Sequence, residues 1–87
     1  PTLRLAGLKN PTEVRVFDGG TTTAVAGQED VTTGTFEWVY DPDEYSSVDI
    51  AVLSLGYQNL RLTSVALGTS DVTIPVQQQL DRQYQNP

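Results

Sequence analysis

The chain has 87 residues, a formal net charge of −6, and no cysteine, histidine or methionine. That length makes one domain, and the missing residue types exclude a disulfide framework, a thiolate metal site and the commonest general base. The basic residues Arg4, Lys9, Arg15, Arg61 and Arg82 are scattered along the sequence. Nucleic acid and anionic membranes need clustered positive charge, so neither is expected as a partner.

The chain opens on Thr2-Leu3-Arg4-Leu5-Ala6, which alternates with Leu3 and Leu5 on one face and predicts a first strand. No basic stretch followed by an apolar run precedes it, so no secretory signal is expected. Lys9-Asn10-Pro11 is turn chemistry, because Pro11 biases Asn10 away from helix. Glu13 to Phe17 predicts a second strand, with Val14 and Val16 inward and Glu13, Arg15 and Phe17 outward. Asp18-Gly19-Gly20 is a strong turn signal, and a hairpin turn fits it better than a phosphate cradle. Thr21 to Ala26 is β-branched and small, which predicts a short edge strand. Gly27-Gln28-Glu29-Asp30 reads as a turn, and Val31 to Thr33 as a brief extended piece ended by Gly34.

Thr35 to Tyr40 is the clearest aromatic strand, with Phe36, Trp38 and Tyr40 on one face. Asp41 to Ser47 reads as a polar loop. Val48 to Leu55 is the most apolar stretch and predicts the central strand. Its Val48, Ile50 and Val52 face the core, and Ala51, Leu53 and Leu55 lie on a second, partly covered face. Its longest apolar run, Ile50 to Leu53, is far too short to span a bilayer. Gly56 and Tyr57 make a turn or bulge, and Gln58 to Val65 forms a strand with Leu60 and Leu62 inward. Ala66 to Asp71 reads as a loop into Val72 to Val76. Pro75 cannot donate to a sheet ladder, so this last strand lies at an edge or ends there.

Seven short strands with turn signals about every ten residues predict an all-β fold, a single antiparallel β-sandwich. Residues 1–76 form the sandwich and residues 77–87 an extended C-terminal tail. Trp38, Ile50, Val52 and Leu62 are expected in the core. A small all-β domain without staples gains stability by association, so a homo-oligomer is expected.

Constellations that carry chemistry are few. Asp41, Asp43, Glu44 and Asp49 offer carboxylates for a calcium site, but their spacing fits no EF-hand loop and a solvated turn is preferred. The same carboxylates with Glu29 and Asp30 make a poor glycosidase pair, because no aromatic-lined cleft accompanies them. The Phe36, Trp38, Tyr40 face is assigned to the core rather than to sugar stacking. Phe17 and Val39, on faces otherwise polar, are candidates for an exposed contact surface. The tail carries Leu80, Asp81, Arg82 and Tyr84, a set suited to anchoring an interface: a planar guanidinium fork with apolar and aromatic neighbours. Leu80, Arg82 and Tyr84 fall on one side if the tail is extended. No catalytic residue, cofactor or metal site is assigned.

Read together, Glu13 to Val16, Gly34 to Phe36, Tyr57 and the closing stretch Ile74 to Pro87 resemble a small domain that recurs in proteins of tailed bacteriophages, particularly of marine and freshwater hosts. Its closing pattern is Ile-Pro-Val-x-Gln-Gln-x-Asp-Arg-x-Tyr-x-Asn-Pro. The Gly-Thr-Phe strand before a strand ending in Gly-Tyr also resembles the transthyretin-like sandwich of carboxypeptidase regulatory domains, and an immunoglobulin-like sandwich is the other type considered. The first resemblance implies a virion component without catalysis, made in the host cytoplasm and partnered by a major capsid or tail protein. Capsid decoration is the first choice. A tail, baseplate or fibre module, or a carbohydrate-binding module for host recognition, is the alternative.

Overall fold

The computed structural model describes residues 1–82. Seven strands form there: β1 (Thr2–Ala6), β2 (Thr12–Asp18), β3 (Ala24–Val31), β4 (Thr35–Val39), β5 (Ser47–Leu53), β6 (Leu60–Ala66) and β7 (Val72–Pro75), with period-two alternation in all but β3 and β6. No helix occurs among the described residues. The strands form two sheets, one ordered β4-β1-β7 and the other β3-β2-β5-β6.

Both sheets turn one apolar face toward a shared core. Leu3, Leu5 and Phe36 come from the three-stranded sheet, and Val14, Val16, Val48, Ile50 and Val52 from the four-stranded one. The fold is therefore all-β and sandwich-like. Ile50 and Val52 are fully buried, as expected. Trp38 and Leu62 are only partly buried, packed against the core from its margin. The ring of Trp38 lies 5.6 Å from that of Tyr40 and 5.3 Å from that of Tyr45. Tyr40 is the buried end of this row, and its hydroxyl reaches the carbonyls of Gly68 and Ser70 at 2.9 and 3.1 Å.

Three expectations are corrected. The ladders are not all antiparallel: β7 runs parallel to β1, with Leu3 opposite Val72 and Ala6 opposite Pro75. A parallel pair needs a long crossover, and here the whole of β2 to β6 intervenes. Second, Gly27 to Asp30 is not a turn but part of β3. Two register shifts explain the misreading. Val25 is extra between the pairs Val16–Ala26 and Phe17–Ala24, and Glu29 and Asp30 face a single residue between Val14–Gln28 and Thr12–Val31. Each bulge breaks the period-two pattern and twists an edge strand. Gly27 is needed at this point because a Cβ there would meet the Val14 carbonyl oxygen at 2.7 Å. Third, Leu55 is not partly covered but 81% exposed, since β5 ends at Leu53 and the chain turns away.

A third shift lies in β6. Thr63 and Ser64 together oppose Asp49, between Val48–Val65 and Ile50–Leu62. Ser64 adopts φ 55°, a left-handed conformation uncommon outside glycine. The bulge moves Val65 into phase with Leu60 and Leu62, and all three pack on the core. Pro75 ends β7, an edge strand, as its missing N–H requires.

Candidate functional site

The strand directions sort the loops onto two ends of the molecule. At one end lie the turns 18–23, 40–46 and 66–71. At the other lie 7–11, 32–34, 54–59 and the C-terminal segment from Val76 onward. The C-terminal segment is where the sequence placed its candidate interface.

Beyond Pro75 the chain runs along its own domain. Val76 is buried, and its N–H donates to the Ala6 carbonyl at 2.9 Å. The backbone then pairs with the β5–β6 turn. Gln58 N–H donates to the Gln79 carbonyl at 2.8 Å, Asp81 N–H donates to the Gly56 carbonyl at 3.0 Å, and Leu80 opposes Tyr57 in an antiparallel bridge. Gly56 has φ 87°, which lets its carbonyl meet the tail where an L-residue would be strained.

Gln78 anchors this segment. Its side chain is buried, and Oε1 accepts the Lys9 N–H at 2.8 Å. Its Nε2 is buried with no hydrogen-bond partner. Thr12, also buried, donates its hydroxyl to the Lys9 carbonyl. The β1–β2 turn, whose Asn10–Pro11 peptide is cis, is thereby tied to the tail. Lys9, Tyr57, Gln78, Gln79, Leu80 and Arg82 line one cleft of about 420 Å³, and the Lys9 ammonium lies 5.5 Å from the Tyr57 ring centre.

The structure therefore brings Leu80 and Arg82 to one cleft. Leu80 is half-exposed and Arg82 exposed. Asp81 lies beside an adjoining depression with Leu53, Leu55 and Tyr57. Tyr84 lies outside the described residues. Phe17 is elsewhere, on the outer face of β2, half-buried beneath the Arg61 guanidinium at 5.0 Å. Val39 is 76% exposed on edge strand β4.

In the acidic turn, the Asp41 carboxylate accepts the Asp43 N–H at 2.9 Å, an ordinary local turn bond. Among the described residues no three acidic, His or Cys side chains converge as metal ligands. Asp49 is different: it is buried on the outer side of β5, accepting Ser64 N–H at 3.0 Å and Arg61 at 3.2 Å. The Ser64 N–H, helped by Arg61 and Gly20 and opposed by burial, holds its carboxyl below the ordinary carboxylate value.

Lys9, Gln78 and Gln79 are members of the cleft that sequence reasoning does not single out, and it names Tyr57 only as a turn residue and within the resemblance. Lys9 likewise reads as a turn residue. Gln77, Gln78 and Gln79 are chemically identical, and only the packed fold selects the middle one for burial. Compared with protein-family models, with curated proteins and with solved structures, the chain has no match.

Proposed function

We propose that the chain is a non-enzymatic structural component of a bacteriophage virion, a capsid decoration or accessory subunit assembled in many copies. The observation that carries this reading is the geometry of the C-terminal segment. Its backbone is pinned to the β5–β6 turn through Gln79 and Asp81, yet Leu80 and Leu55 remain exposed at that same end. A segment held in place with its apolar side chains outward is prepared to dock, because little ordering entropy is left to lose. The closing Ile74 to Pro87 pattern supports a virion setting. The two sheets are read further as an immunoglobulin-like or transthyretin-like sandwich, supported by the Gly-Thr-Phe strand ahead of Gly56-Tyr57.

Mass spectrometry of purified particles from cells producing the virus tests the assignment. The chain is expected at a copy number comparable with a capsid or tail ring protein, and Leu80→Asp is expected to lower its incorporation. Particles that lack the chain altogether overturn the reading.

A further inference from the structure

We propose that the cleft between the β1–β2 turn, the β5–β6 turn and the C-terminal segment is a carboxylate-binding site. This goes beyond the virion assignment and does not depend on it.

The argument starts from charge. The molecule is acidic overall, with 5 basic residues against 11 acidic ones, so its cations are expected to be neutralised by carboxylates. Three are: Arg4 pairs with Glu37, Arg15 with Glu13, and Arg61 with Asp49. Lys9 and Arg82 are in no ion pair among the described residues, and both line this one cleft. Their sequence separation is large, so the fold brings them together.

The second observation is independent of charge. Gln78 lines the same cleft with a buried amide nitrogen that has no acceptor. The amide cannot simply be turned over, because its oxygen is required by the Lys9 N–H. A buried donor without a partner is costly, and a carboxylate entering the cleft removes that cost once a small shift of the rim uncovers the nitrogen. Two cations and a neutral N–H donor are all donors, which match a carboxylate and repel a cation. Arg82 offers the planar fork and Lys9 a point charge held near the Tyr57 ring. Leu80, half-exposed at the rim, gives an apolar flank. The cleft, at about 420 Å³, has room for an acidic side chain with its neighbours or for a small organic acid.

The chain itself displays such groups: Asp41, Asp43 and Glu44 are exposed at the opposite end of the molecule. A second copy is thus one source of the carboxylate, a partner's acidic segment another, and a free acid a third.

Amide and side-chain NMR spectra of the full chain test the site. The probes are the peptide acetyl-Ala-Asp-Glu-Ala-amide, its Asn-Gln counterpart, and sodium acetate at matched ionic strength. The acidic peptide is expected to shift Lys9, Tyr57, the Gln78 side-chain amide and Arg82 saturably, with no response to the Asn-Gln peptide. Lys9→Ala with Arg82→Ala, both at exposed positions, is expected to weaken binding by about tenfold or more through loss of charge-assisted hydrogen bonds. Acetate reproducing the shifts at similar concentration supports a free acid as the source. Response to the peptide alone supports a protein-borne carboxylate, and the same shifts appearing as the chain is concentrated support a second copy. Equal response to both peptides, no response to any probe, or unchanged affinity in the folded double variant overturns the proposal.

Discussion

Asp49 and Ile50 are neighbours on β5 that stabilise the fold by unlike means. Ile50 is fully enclosed in the core. Ile50→Ala removes transfer free energy and leaves a cavity, so it is expected to cost about 2–5 kcal/mol. Urea unfolding followed by Trp38 fluorescence measures this, and a loss below 1 kcal/mol, on the order of a surface change, contradicts the core assignment. Asp49 points to the other face, where the left-handed Ser64 turns its N–H onto the carboxylate. Because its folded-state pKa is lowered, the unfolded chain takes up a proton more readily in acid. The stabilisation is therefore complete above the ordinary carboxylate value of about 3.9 and is lost as pH falls through the lower folded-state value. Asp49→Asn is expected to melt earlier than the parent near neutral pH, with the difference narrowing as pH falls below the ordinary carboxylate value of about 3.9. Thermal melts at a series of pH values check this; a difference that stays constant across the series assigns Asp49 no such role.

At the scale of elements, the C-terminal segment is the informative one. From Gln77 to Arg82 it supplies one buried side chain, Gln78, and backbone bonds to Gly56 and Gln58. It contributes no aliphatic side chain to the central core. A chain ending at Val76 is thus expected to keep its seven strands, because Val76 still caps the core and bonds Ala6. Five hydrogen bonds are lost, to Lys9, Thr12, Gly56 and twice to Gln58, which is expected to lower stability by roughly 2–6 kcal/mol, since most of the freed groups regain water. Circular dichroism melts report this directly, and a truncated chain that is unfolded at room temperature makes the segment part of the folding unit. The bulged strands behave differently. β3 and β6 are both sheet edges, and their register shifts twist them away from the flat, continuous edge that invites uncontrolled pairing. By contrast, β4 shows no shift against β1 and carries the exposed Val39, so it is the more regular edge.

For the whole molecule, the parallel β1–β7 pair is the closing element. It joins the two extremes of the strand order in one sheet, so the chain's last strand completes the structure its first strand began. The same topology separates the acidic turn 40–46 from the Lys9 and Arg82 cleft by the full length of the strands. A domain built this way has two chemically distinct ends, and a contact between unlike ends is heterologous: it propagates as a ring or a filament rather than closing as a two-fold dimer.

What the sequence determined by itself was local. The alternation in β1, β2, β4, β5 and β7 placed those strands and their inward residues, because side-chain direction with period two is a property of each strand alone. Pro75 marked an edge for an equally local reason, its missing N–H. The candidate interface residues Leu80 and Arg82 were visible as side-chain types, and the structure gave them neighbours. Tertiary structure alone decided the rest. A bulge is two residues against one, so it exists only relative to a partner strand, and β3 and the register of β6 could not be read without β2 and β5. The burial of Gln78 depends on Lys9, 69 residues away, and that of Asp49 on Ser64. The parallel direction of β7 likewise rests on which strand it meets. Burial of a polar group and pairing of two cations in one cleft are set by groups distant in the chain, and local pattern carries no record of them.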